Sequence, residues 1–545
     1  MLKRLKSHLP PIVRSALVLG YPLVLFVIIG ALVIPLKADY YKELGTLFLF
    51  TSISIGAVLL IESPRLKKWT FVILLGILGF FASIKLIFYA VFGVKISGSS
   101  LFVLFETNKN EASEFLAGYV NGEVVVISLL FLIPILIASA YLVFKNKAIS
   151  VFKLDHNSTG FRSAILVLML LCVYFLNRSF KDHSLVFTVS KSYKEYAEAK
   201  KNVQSDLAQT TSENVSITRQ DTLPKIGVVI IGEATSRWHM ELYGYNRPTN
   251  PLLKEIKDEL FIFEDAISPH VMTIRSLEKN LTLNSFETPQ HETNFSVVQL
   301  ANAAGFTTHW ISNQEPVGFT ESIPTIIGSA AQQTQFLATD SYNYAIYDEN
   351  VLPELKKALQ RPGERKLIFL HLIGTHRLYK KRYPETFNYF SGVNERTKYK
   401  TAYSELKVNE YDNAVRYNDY VVREIIETVR TADQPSFVVY FSDHGDEVFD
   451  TIDFIGHHGS KATRPMHDVP FIAWFSEAYK KKHPQHIEAT SRNSSKPYAL
   501  EDFTHSFSDL IQVSAKGVDS TKSIFSSDFK VKRRQLRHGR FYDEL

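Results

Sequence analysis

Hydrophobic and polar positions divide the chain into two parts of different character. The first third of the 545 residues is dense in Leu, Ile, Val and Phe, whereas the remainder alternates short apolar runs with polar stretches. A helix that crosses a bilayer needs about 20 apolar residues, within a range of about 17–25. The pattern therefore predicts a transmembrane domain of five helices over residues 1–178. The apolar segments lie at roughly 12–35, 46–62, 69–93, 123–144 and 161–178.

The distribution of basic residues predicts the orientation of these helices. Lys and Arg precede the first segment and recur in the loops after the second and fourth segments, whereas the opposite loops contain few. Because basic residues accumulate in cytoplasmic loops, the N-terminus is expected to be cytoplasmic. The first segment is too long for a signal peptide and no small-residue cleavage site follows it, so we interpret it as a retained helix. Five crossings of a bacterial inner membrane then place the chain after about residue 178 in the periplasm of a Gram-negative cell.

The loop after the third segment, 94–122, contains an amphipathic stretch from Leu101 to Leu116. One interpretation is an interfacial helix with a solvated acidic face. The other is a set of side chains that recognises an amine-bearing lipid headgroup, and both stay open. The polar side chains concerned are Glu106, Asn108, Glu111 and Glu114.

Beyond the membrane part, a polar segment leads to a domain with an alternating pattern. Residues 179–224 combine a helical pattern at 192–207 with looser sequence, which predicts a bridging helix and a linker. From 225 to 545, apolar runs alternate with helical patterns, including a helix at 411–429. Such alternation is typical of an α/β domain with a mainly parallel sheet covered by helices. The predicted strands lie at 226–232, 261–266, 307–311, 366–372 and directly before Asp443.

Residues of the kinds that bind metals follow these predicted strands repeatedly. In an open α/β sheet, ligands bind at the carboxyl ends of the strands, and zinc prefers imidazole nitrogen and carboxylate oxygen. Each residue has a structural alternative, such as a helix-capping acid or a core histidine. Their recurrence at several strand ends favours one shared site. The residues concerned are Glu233, the segment Ser268–Ser276, His371, His376, Asp443, His444 and the pair His457 and His458.

Phosphoryl-type transfer is the chemistry that suits such a site. Zinc neutralises charge on the transferred group and lowers the pKa of a coordinated hydroxyl, which makes that hydroxyl a nucleophile. Thr273 is the candidate hydroxyl, with Ser268 and Ser276 nearby. A threonine in this role would form a covalent intermediate and then pass the group on.

The net charge and the cysteine content limit the kinds of partner and of covalent cross-link that the chain can have. The formal net charge of +6 is modest for this length, so nothing indicates that the chain binds nucleic acid. Cys172 is the single cysteine and lies in an apolar run. No disulfide framework is therefore possible within the chain.

Several short motifs occur together in both parts of the chain. They are Gly232-Glu233-Ala234, Leu242-Tyr-Gly-Tyr-Asn-Arg-Pro-Thr-Asn-Pro251, the Thr273 segment, His371-Leu-Ile-Gly-Thr-His376, Arg382-Tyr-Pro384, Ser442-Asp-His-Gly445, His458-Gly459 and the loop at 106–116. A single motif such as Ser-Asp-His-Gly is not specific, but the combination is. In combination, they resemble the phosphoethanolamine transferases of the alkaline phosphatase superfamily.

The resemblance implies a zinc-dependent transferase with an alkaline phosphatase-like fold. The implied mechanism is ping-pong: the threonine attacks the phosphorus of phosphatidylethanolamine, diacylglycerol leaves, and phosphoethanolamine passes to lipopolysaccharide. A histidine, His376, would exchange protons with these oxygens. The implied site residues are Glu233, Thr273, Asp443 and His444 for one zinc ion, His376 and His458 for the phosphoryl group or a second zinc ion, and Asn108 and Glu111 for the donor headgroup.

The chain departs from the family pattern in two respects. Family members that modify lipid A commonly contain several disulfides, and this chain has none. The spacing from His444 to His458 is slightly longer than usual, which makes His457 an alternative to His458. The Tyr-Gly-Tyr-x-Arg-Pro motif is most similar to that of the family branch that modifies the core heptose of lipopolysaccharide. Lipid A remains the alternative acceptor.

Other functions agree with only part of the pattern. A sulfatase needs a Cys or Ser in a Cys/Ser-x-Pro-x-Arg sequence, which does not occur around Thr273. A lipoteichoic-acid-synthase-like phosphoglycerol transferase also has five helices and a threonine nucleophile, but the loop at 106–116 argues against it. A non-catalytic periplasmic lipid- or sugar-binding receptor would be favoured by loss of a metal ligand, and none is lost.

We interpret the basic stretch at 530–540 as a solvated or membrane-apposed tail, with contact to anionic lipopolysaccharide as the alternative.

Overall fold

The computed structural model forms two compact units, which are considered separately. The first unit ends at Tyr196, and the second runs from Ala197 to Leu545. The division falls inside a helix at Leu185–Gln209, which includes the helical pattern at 192–207. The domain boundaries at 178 and 224 stay predictions. The residues that the structure describes are 16–96, 101, 116, 119–144, 159–209, 215–221, 223–289, 294–314, 323–338 and 347–545.

The first unit consists of apolar helices, as its composition predicts. They are α1 (Tyr21–Val33), α2 (Lys37–Leu60), α3 (Pro64–Phe92), α4 (Gly122–Phe144) and α5 (Thr159–Ser179), followed by α6 (Leu185–Gln209). Among the described residues, four helices, α2 to α5, are long and apolar enough to cross a membrane. Helix α1 has 13 residues. It begins directly after Gly20, and a proline stands in its first turn. The five predicted apolar segments therefore all correspond to helices, of which the first is shorter than expected.

A buried polar cluster joins three parts of this unit. Lys85 of α3 donates hydrogen bonds to the Glu43 carboxylate of α2 and to the carbonyl oxygen of His183, in the turn after α5. His183 Nδ1 also lies 3.1 Å from Glu43 Oε1. All three residues are buried. Because a charged group among apolar helices is costly without a partner, this pairing is a condition for the packing of α2 against α3.

The second unit is built on a seven-stranded sheet of order β3-β11-β8-β2-β7-β5-β6. The strands of the unit are, in chain order, β1 (Ile217–Gln220), β2 (Ile226–Gly232), β3 (Leu260–Ile262), β4 (Ala266–Ile267), β5 (Thr307–Ser312), β6 (Gln333–Phe336), β7 (Lys366–His371), β8 (Ser436–Ser442), β9 (Glu447–Val448), β10 (Ile455–Gly456), β11 (Phe471–Phe475), β12 (Tyr498–Ala499) and β13 (Val513–Ala515). Strands β8, β2, β7, β5 and β6 run parallel. Strand β11 is antiparallel to both of its neighbours. The prediction of a mainly parallel sheet is confirmed.

The predicted strands agree with the sheet except at one place. Strand β2 has the predicted bounds, because a central parallel strand is buried on both faces and its sequence is a continuous apolar run. The segment predicted as one strand at 261–266 is instead divided. Its first part, β3, pairs with β11, and its end belongs to β4, which pairs with β12. The turn between them contains Glu264 and Asp265, which interrupt the apolar run.

Helices cover both faces of the sheet and complete two hydrophobic layers. Along β2, Val229 belongs to the same buried cluster as Phe503, whereas Val228 belongs to the cluster that includes Val421 of the longest helix in this unit. Because β8, β2, β7 and β5 point the same way, the residues after them meet at one edge of the sheet. The helices are α7 (Pro251–Glu255), α8 (Thr273–Asn280), α9 (Val297–Ala303), α10 (Ile323–Ser329), α11 (Val351–Gln360), α12 (Ala402–Arg430), α13 (Arg464–His467), α14 (Glu477–Lys482), α15 (Pro484–Asn493) and α16 (Phe503–Leu510).

Candidate metal centre

Glu233, Asp443 and His444 meet where β2 and β8 end side by side in the sheet. His444 Nε2 lies 3.2 Å from Glu233 Oε1 and 3.5 Å from Asp443 Oδ2. One potential ligand atom from each residue lies within 4.8 Å of the others, and all three residues are buried. The prediction that these strand ends converge therefore agrees with the geometry.

The hydrogen bonds of Asp443 and His444 leave one potential ligand atom on each of these two residues available. Asp443 Oδ1 accepts hydrogen bonds from the Ala234 and His444 amides, at 3.1 and 2.7 Å, whereas the buried Oδ2 has no partner among the described residues. His444 Nδ1 lies 3.0 Å from the carbonyl oxygen of Gly445, an arrangement that places the proton on Nδ1 and leaves Nε2 as a ligand atom. A carboxylate–carboxylate–imidazole set with an orphaned buried oxygen fits a zinc ion.

The electrostatics of the cluster favour a positive charge at its centre. Burial lowers the pKa of His444, but the charges of Asp443 and Glu233 more than offset it and raise the pKa to about 10. Burial works in the opposite sense on Glu233, yet the hydrogen bond and charge of His444 hold its pKa well below the usual range. Burial and the neighbouring charge of Glu233 raise the pKa of Asp443. Two buried carboxylates around one imidazole stabilise a positive charge between them, either a proton on the ring or a divalent cation bound to its free nitrogen.

Thr273 is the first residue of α8 and lies against this cluster. Its Oγ1 is 3.1 Å from Glu233 Oε1 and 3.3 Å from His444 Nε2. The other two candidate hydroxyls are used locally: Ser268 and Ser276 both donate to the carbonyl oxygen of His270, at 2.7 and 2.9 Å. Of these three hydroxyls, Thr273 is the one that lies within hydrogen-bonding distance of the candidate metal ligands.

The loop after β7 passes beside Glu233. The Thr375 amide donates to the Glu233 carbonyl oxygen at 2.9 Å, which places His376 next to the cluster. The charge of His376 contributes to lowering the pKa of Glu233. Asp348 fixes the loop by accepting from the amides of Ile373 and Gly374, at 2.9 and 2.8 Å.

His371, which precedes this loop, is a core residue. Its Nδ1 lies 3.2 Å from Ser312 Oγ, and burial lowers its pKa to about 4. The alternative reading of His371 as a core histidine agrees with this position.

The structure places His457, rather than its neighbour, against the cluster. The ring centroids of His444 and His457 are 4.1 Å apart. His457 Nδ1 lies 2.7 Å from Asp446 Oδ1, and Tyr379 donates to the other oxygen of Asp446 at 2.7 Å. His444, Asp446 and His457 form the second group of potential metal ligands among the described residues.

His458 has a different setting. Its Nδ1 accepts a hydrogen bond from the Ser460 amide at 3.2 Å. Burial, with the nearby charges of His457 and Lys461, lowers its pKa to about 4. The ring contact therefore favours His457, the alternative that the spacing suggested. Asn108 and Glu111 lie outside the described residues.

Gln314 is a site residue that the sequence analysis missed. Its Nε2 donates to the Leu372 carbonyl oxygen at 2.7 Å and lies 3.5 Å from Glu233 Oε2. It follows the end of β5, so the strand-end rule that found Glu233 and Asp443 would also have identified it.

The Tyr-Gly-Tyr-x-Arg-Pro motif, which lacks metal ligands, has a structural role. Tyr245 and Arg247 of the Tyr-Gly-Tyr-x-Arg-Pro motif donate to Asp412 Oδ2 of α12, at 2.9 and 2.7 Å. Asp412 Oδ1 lies 2.6 Å from Nδ1 of the buried His239, whose Nε2 is 3.2 Å from Asp450. The motif therefore anchors the loops around the site to α12.

The basic stretch at 530–540 is partly folded onto the domain. Lys532 donates to Glu501 and Asp502, at 3.0 and 2.9 Å. Arg534 is buried and donates to Asp265 Oδ1 at 2.7 Å. The expectation of a solvated tail is wrong for these two residues, because acidic partners are present in the domain.

Comparisons with known proteins agree with this geometry. Residues 225–513 match the Sulfatase family model. Over 473 residues, the chain is 31% identical to phosphoethanolamine transferase EptC of Escherichia coli O18:K1:H7 (strain RS218 / NMEC), which covers 82% of this chain and 80% of the relative. A crystal structure of the C-terminal periplasmic domain of EcEptC from Escherichia coli in complex with Zn superposes with a TM-score of 0.58 and 32% identity, over 61% of this chain and 97% of that one.

A second solved structure extends the similarity to the membrane part. It is the integral membrane protein lipooligosaccharide phosphoethanolamine transferase A (EptA) from Neisseria meningitidis. The match covers 94% of this chain and 97% of that chain, with a TM-score of 0.65 and 18% identity. At this identity, the match shows a shared fold over both units.

Proposed function

Because this chain belongs to the sulfatase family and, within it, to the phosphoethanolamine transferases, we propose that it moves phosphoethanolamine from phosphatidylethanolamine to lipopolysaccharide. The observation that supports this most directly is the position of the Thr273 hydroxyl, within 3.3 Å of both Glu233 and His444. A hydroxyl beside a zinc-type ligand set is the arrangement that nucleophilic phosphoryl transfer requires. The acceptor is a core heptose or lipid A.

In the proposed first step, Thr273 Oγ1 forms a bond to the phosphorus of the donor. The bond from phosphorus to the diacylglycerol oxygen breaks, the hydroxyl proton of Thr273 passes to that oxygen by way of His376, and phosphoethanolamine remains esterified to Thr273. Glu233, Asp443 and His444, with Thr273 itself, would hold a zinc ion, which supplies a Lewis acid that lowers the pKa of the attacking hydroxyl. Glu233 Oε1, at 3.1 Å, fixes the direction of that hydroxyl.

In the second step, an oxygen of the acceptor attacks the phosphothreonine, and Thr273 Oγ1 leaves. His376 would protonate the departing diacylglycerol oxygen and deprotonate the acceptor, which suits an imidazole near neutrality. A second histidine would contact the phosphoryl oxygens or a second zinc ion. The ring contact with His444 supports His457 in this role, and the resemblance supports His458.

The donor has to come from a membrane, and the chain has helices of spanning length. We propose that the N-terminus is cytoplasmic and the catalytic unit periplasmic. Asn108 and Glu111 would recognise the ammonium and phosphate of the headgroup, a proposal that rests on the resemblance of the loop at 106–116.

Mass spectrometry of lipopolysaccharide tests this function. Lipid A and core oligosaccharide are separated and weighed from cells that express the wild-type chain, the Thr273→Ala variant or neither. We expect a phosphoethanolamine increment on one fraction with the wild-type chain alone. A phosphoglycerol increment, or no increment on either fraction, would contradict the proposal.

A further inference from the structure

The turn that carries Glu233 has a strained backbone. Ala234, the next residue, has a φ of 58°, in the left-handed region that residues with a Cβ rarely adopt. The turn persists because the surrounding structure constrains it. Since the Glu233 carboxylate is directed by this backbone, whatever constrains the turn also positions the metal ligand.

Two of the constraints come from the site itself. The Ala234 amide donates to Asp443 Oδ1 at 3.1 Å. In the loop after β7, Gly374 packs so closely that a Cβ there would lie 2.5 Å from the Glu233 carbonyl oxygen. These contacts constrain Glu233 and the amide of Ala234, but not the carbonyl of Ala234 or the residues after it.

Within the turn, the Thr235 amide donates to Ser442 Oγ at 2.8 Å. The Ala234 carbonyl and the Ser236 amide are both held by one hydroxyl from a distant helix. Tyr411, on α12, donates from its Oη to the Ala234 carbonyl oxygen at 2.8 Å. Tyr411 Oη in turn accepts a hydrogen bond from the Ser236 amide, also at 2.8 Å. Tyr411 is fully buried, and its ring packs edge-on against Tyr379 and His239. The hydroxyl therefore joins the two ends of the strained turn and has a fixed position itself.

We propose that Tyr411 is a positioning residue for the metal ligand Glu233. Without its hydroxyl, the Ala234 carbonyl and the Ser236 amide would be buried without partners, and Ala234 would relax toward an ordinary φ. That relaxation moves the Glu233 carboxylate away from His444 and Thr273. Partners of this kind behind the ligands of a metal typically change its affinity about 10- to 100-fold when removed. The inference rests on the proposed zinc site.

The test is the zinc affinity of the full chain in detergent, measured by competition with a chromophoric chelator. Tyr411→Phe keeps the ring and removes both hydrogen bonds, so we expect zinc binding about 10- to 100-fold weaker than wild type. The matched control is Tyr479→Phe. Tyr479 is equally buried, and its hydroxyl also donates to a backbone carbonyl, that of Leu510 at 3.1 Å, in the layer that does not contain α12. We expect this control to bind zinc as the wild type does.

A second variant separates positioning from general stability. Ala234→Gly removes the Cβ that makes a positive φ costly, so it should restore part of the zinc affinity in the Tyr411→Phe background. If Tyr411→Phe alone does not fold, the double variant is the one measured, and it is expected to fold and bind zinc. Wild-type affinity in Tyr411→Phe, or no recovery in the double variant, would overturn the inference. Failure of the wild-type chain to bind zinc would instead overturn the proposed function.

Discussion

Thr273 Oγ1 lies 3.3 Å from His444 Nε2, although 171 positions separate the two residues in the chain. The contact exists because α8 begins beside the carboxyl end of β8. Hydroxyl and imidazole are therefore fixed by two different elements, and neither depends on the other for its orientation. This separation allows each to be replaced and tested independently.

Replacement of Thr273 tests the nucleophile. Thr273→Ala should lower transfer by about three orders of magnitude or more, because only the reacting oxygen is removed. Thr273→Ser keeps the hydroxyl and should retain measurable transfer. The rate of transfer from labelled phosphatidylethanolamine is measured for both. Equal loss in the two variants would indicate that the β-branched side chain, and not its oxygen, is needed.

The two adjacent histidines can be separated by single substitutions. His457→Ala should lower the transfer rate about 100-fold, since its ring packs on His444, whereas His458→Ala should have a much smaller effect. Single-turnover measurements of phosphothreonine formation and breakdown give the two rates. A larger effect of His458→Ala would contradict the prediction and would assign the role of the second histidine to His458.

Removal of zinc should lower both transfer and stability. A ligand that is present at a free concentration of about 1,000 times its dissociation constant contributes about 4 kcal/mol to the free energy of unfolding. A chelator should therefore lower the unfolding midpoint of the wild-type chain. In Asp443→Asn, which changes the carboxylate with the orphaned oxygen, the chelator should have little effect. If the chelator lowers the unfolding midpoint equally in the wild type and in Asp443→Asn, the stabilising zinc ion is bound at a site that does not include Asp443.

The buried imidazole of His239 predicts a dependence of stability on pH. Burial lowers its pKa, but Asp450 and Asp412 raise it to about 10, well above the ordinary value of about 6.5. Because the folded pKa is the higher one, the stabilisation is fully present below about pH 6.5 and is lost as the pH rises toward 10. We expect the unfolding midpoint of the wild-type chain to fall over this interval.

The variant His239→Gln is the control for that dependence. It removes the imidazolium from Asp450 and leaves Asp412 with Arg247 as its only cation among the contacts described, so it should lower the free energy of unfolding at pH 6.5 by less than the about 3–5 kcal/mol of a fully uncompensated buried charge. Its midpoint should then change less between pH 6.5 and 10 than that of the wild type. If the unfolding midpoint of the variant falls with pH as steeply as that of the wild type, the pH dependence comes from other groups.

The buried pair in the first unit is suited to a double-mutant cycle. Lys85→Met removes the ammonium and leaves the buried Glu43 carboxylate with the His183 ring as a partner, which should destabilise the unit by about 3 kcal/mol. Combination with Glu43→Leu should restore most of the loss, because no charge then remains. Thermal unfolding in detergent measures all four proteins. Additive losses in the double variant would contradict a direct coupling.

Much of the site could be predicted because its residues follow buried strands. The runs before Glu233 and Asp443 are continuous and apolar, so both the strands and the polar residues that end them were visible in the sequence. Gln314 was missed because its strand was expected to end at 311, and the polar residues that follow were treated as loop. Applying one rule to every strand end would have included it.

Tyr411 could not be predicted from its own surroundings. It lies inside a long helix, in a run where apolar and polar residues alternate as in any packed helix. Its hydrogen bonds go to residues 177 and 175 positions earlier, and no local pattern encodes such a distance. Likewise, the basic residues Lys532 and Arg534 looked solvated because their acidic partners lie elsewhere in the chain.

The cluster of Glu43, Lys85 and His183 also affects biogenesis. During synthesis, α2 leaves the ribosome before Lys85 and well before His183. Glu43 lies in the second turn of α2, where a charge costs less than the about 2.5–3.5 kcal/mol of a charge at the centre of an inserting helix. Because the buried Glu43 carboxylate gains its ammonium partner only when Lys85 arrives, α2 and α3 are expected to partition together as a hairpin. The last contact forms when the turn after α5 arrives, so a nascent chain truncated before His183 should be a better substrate for membrane proteases than one that includes it.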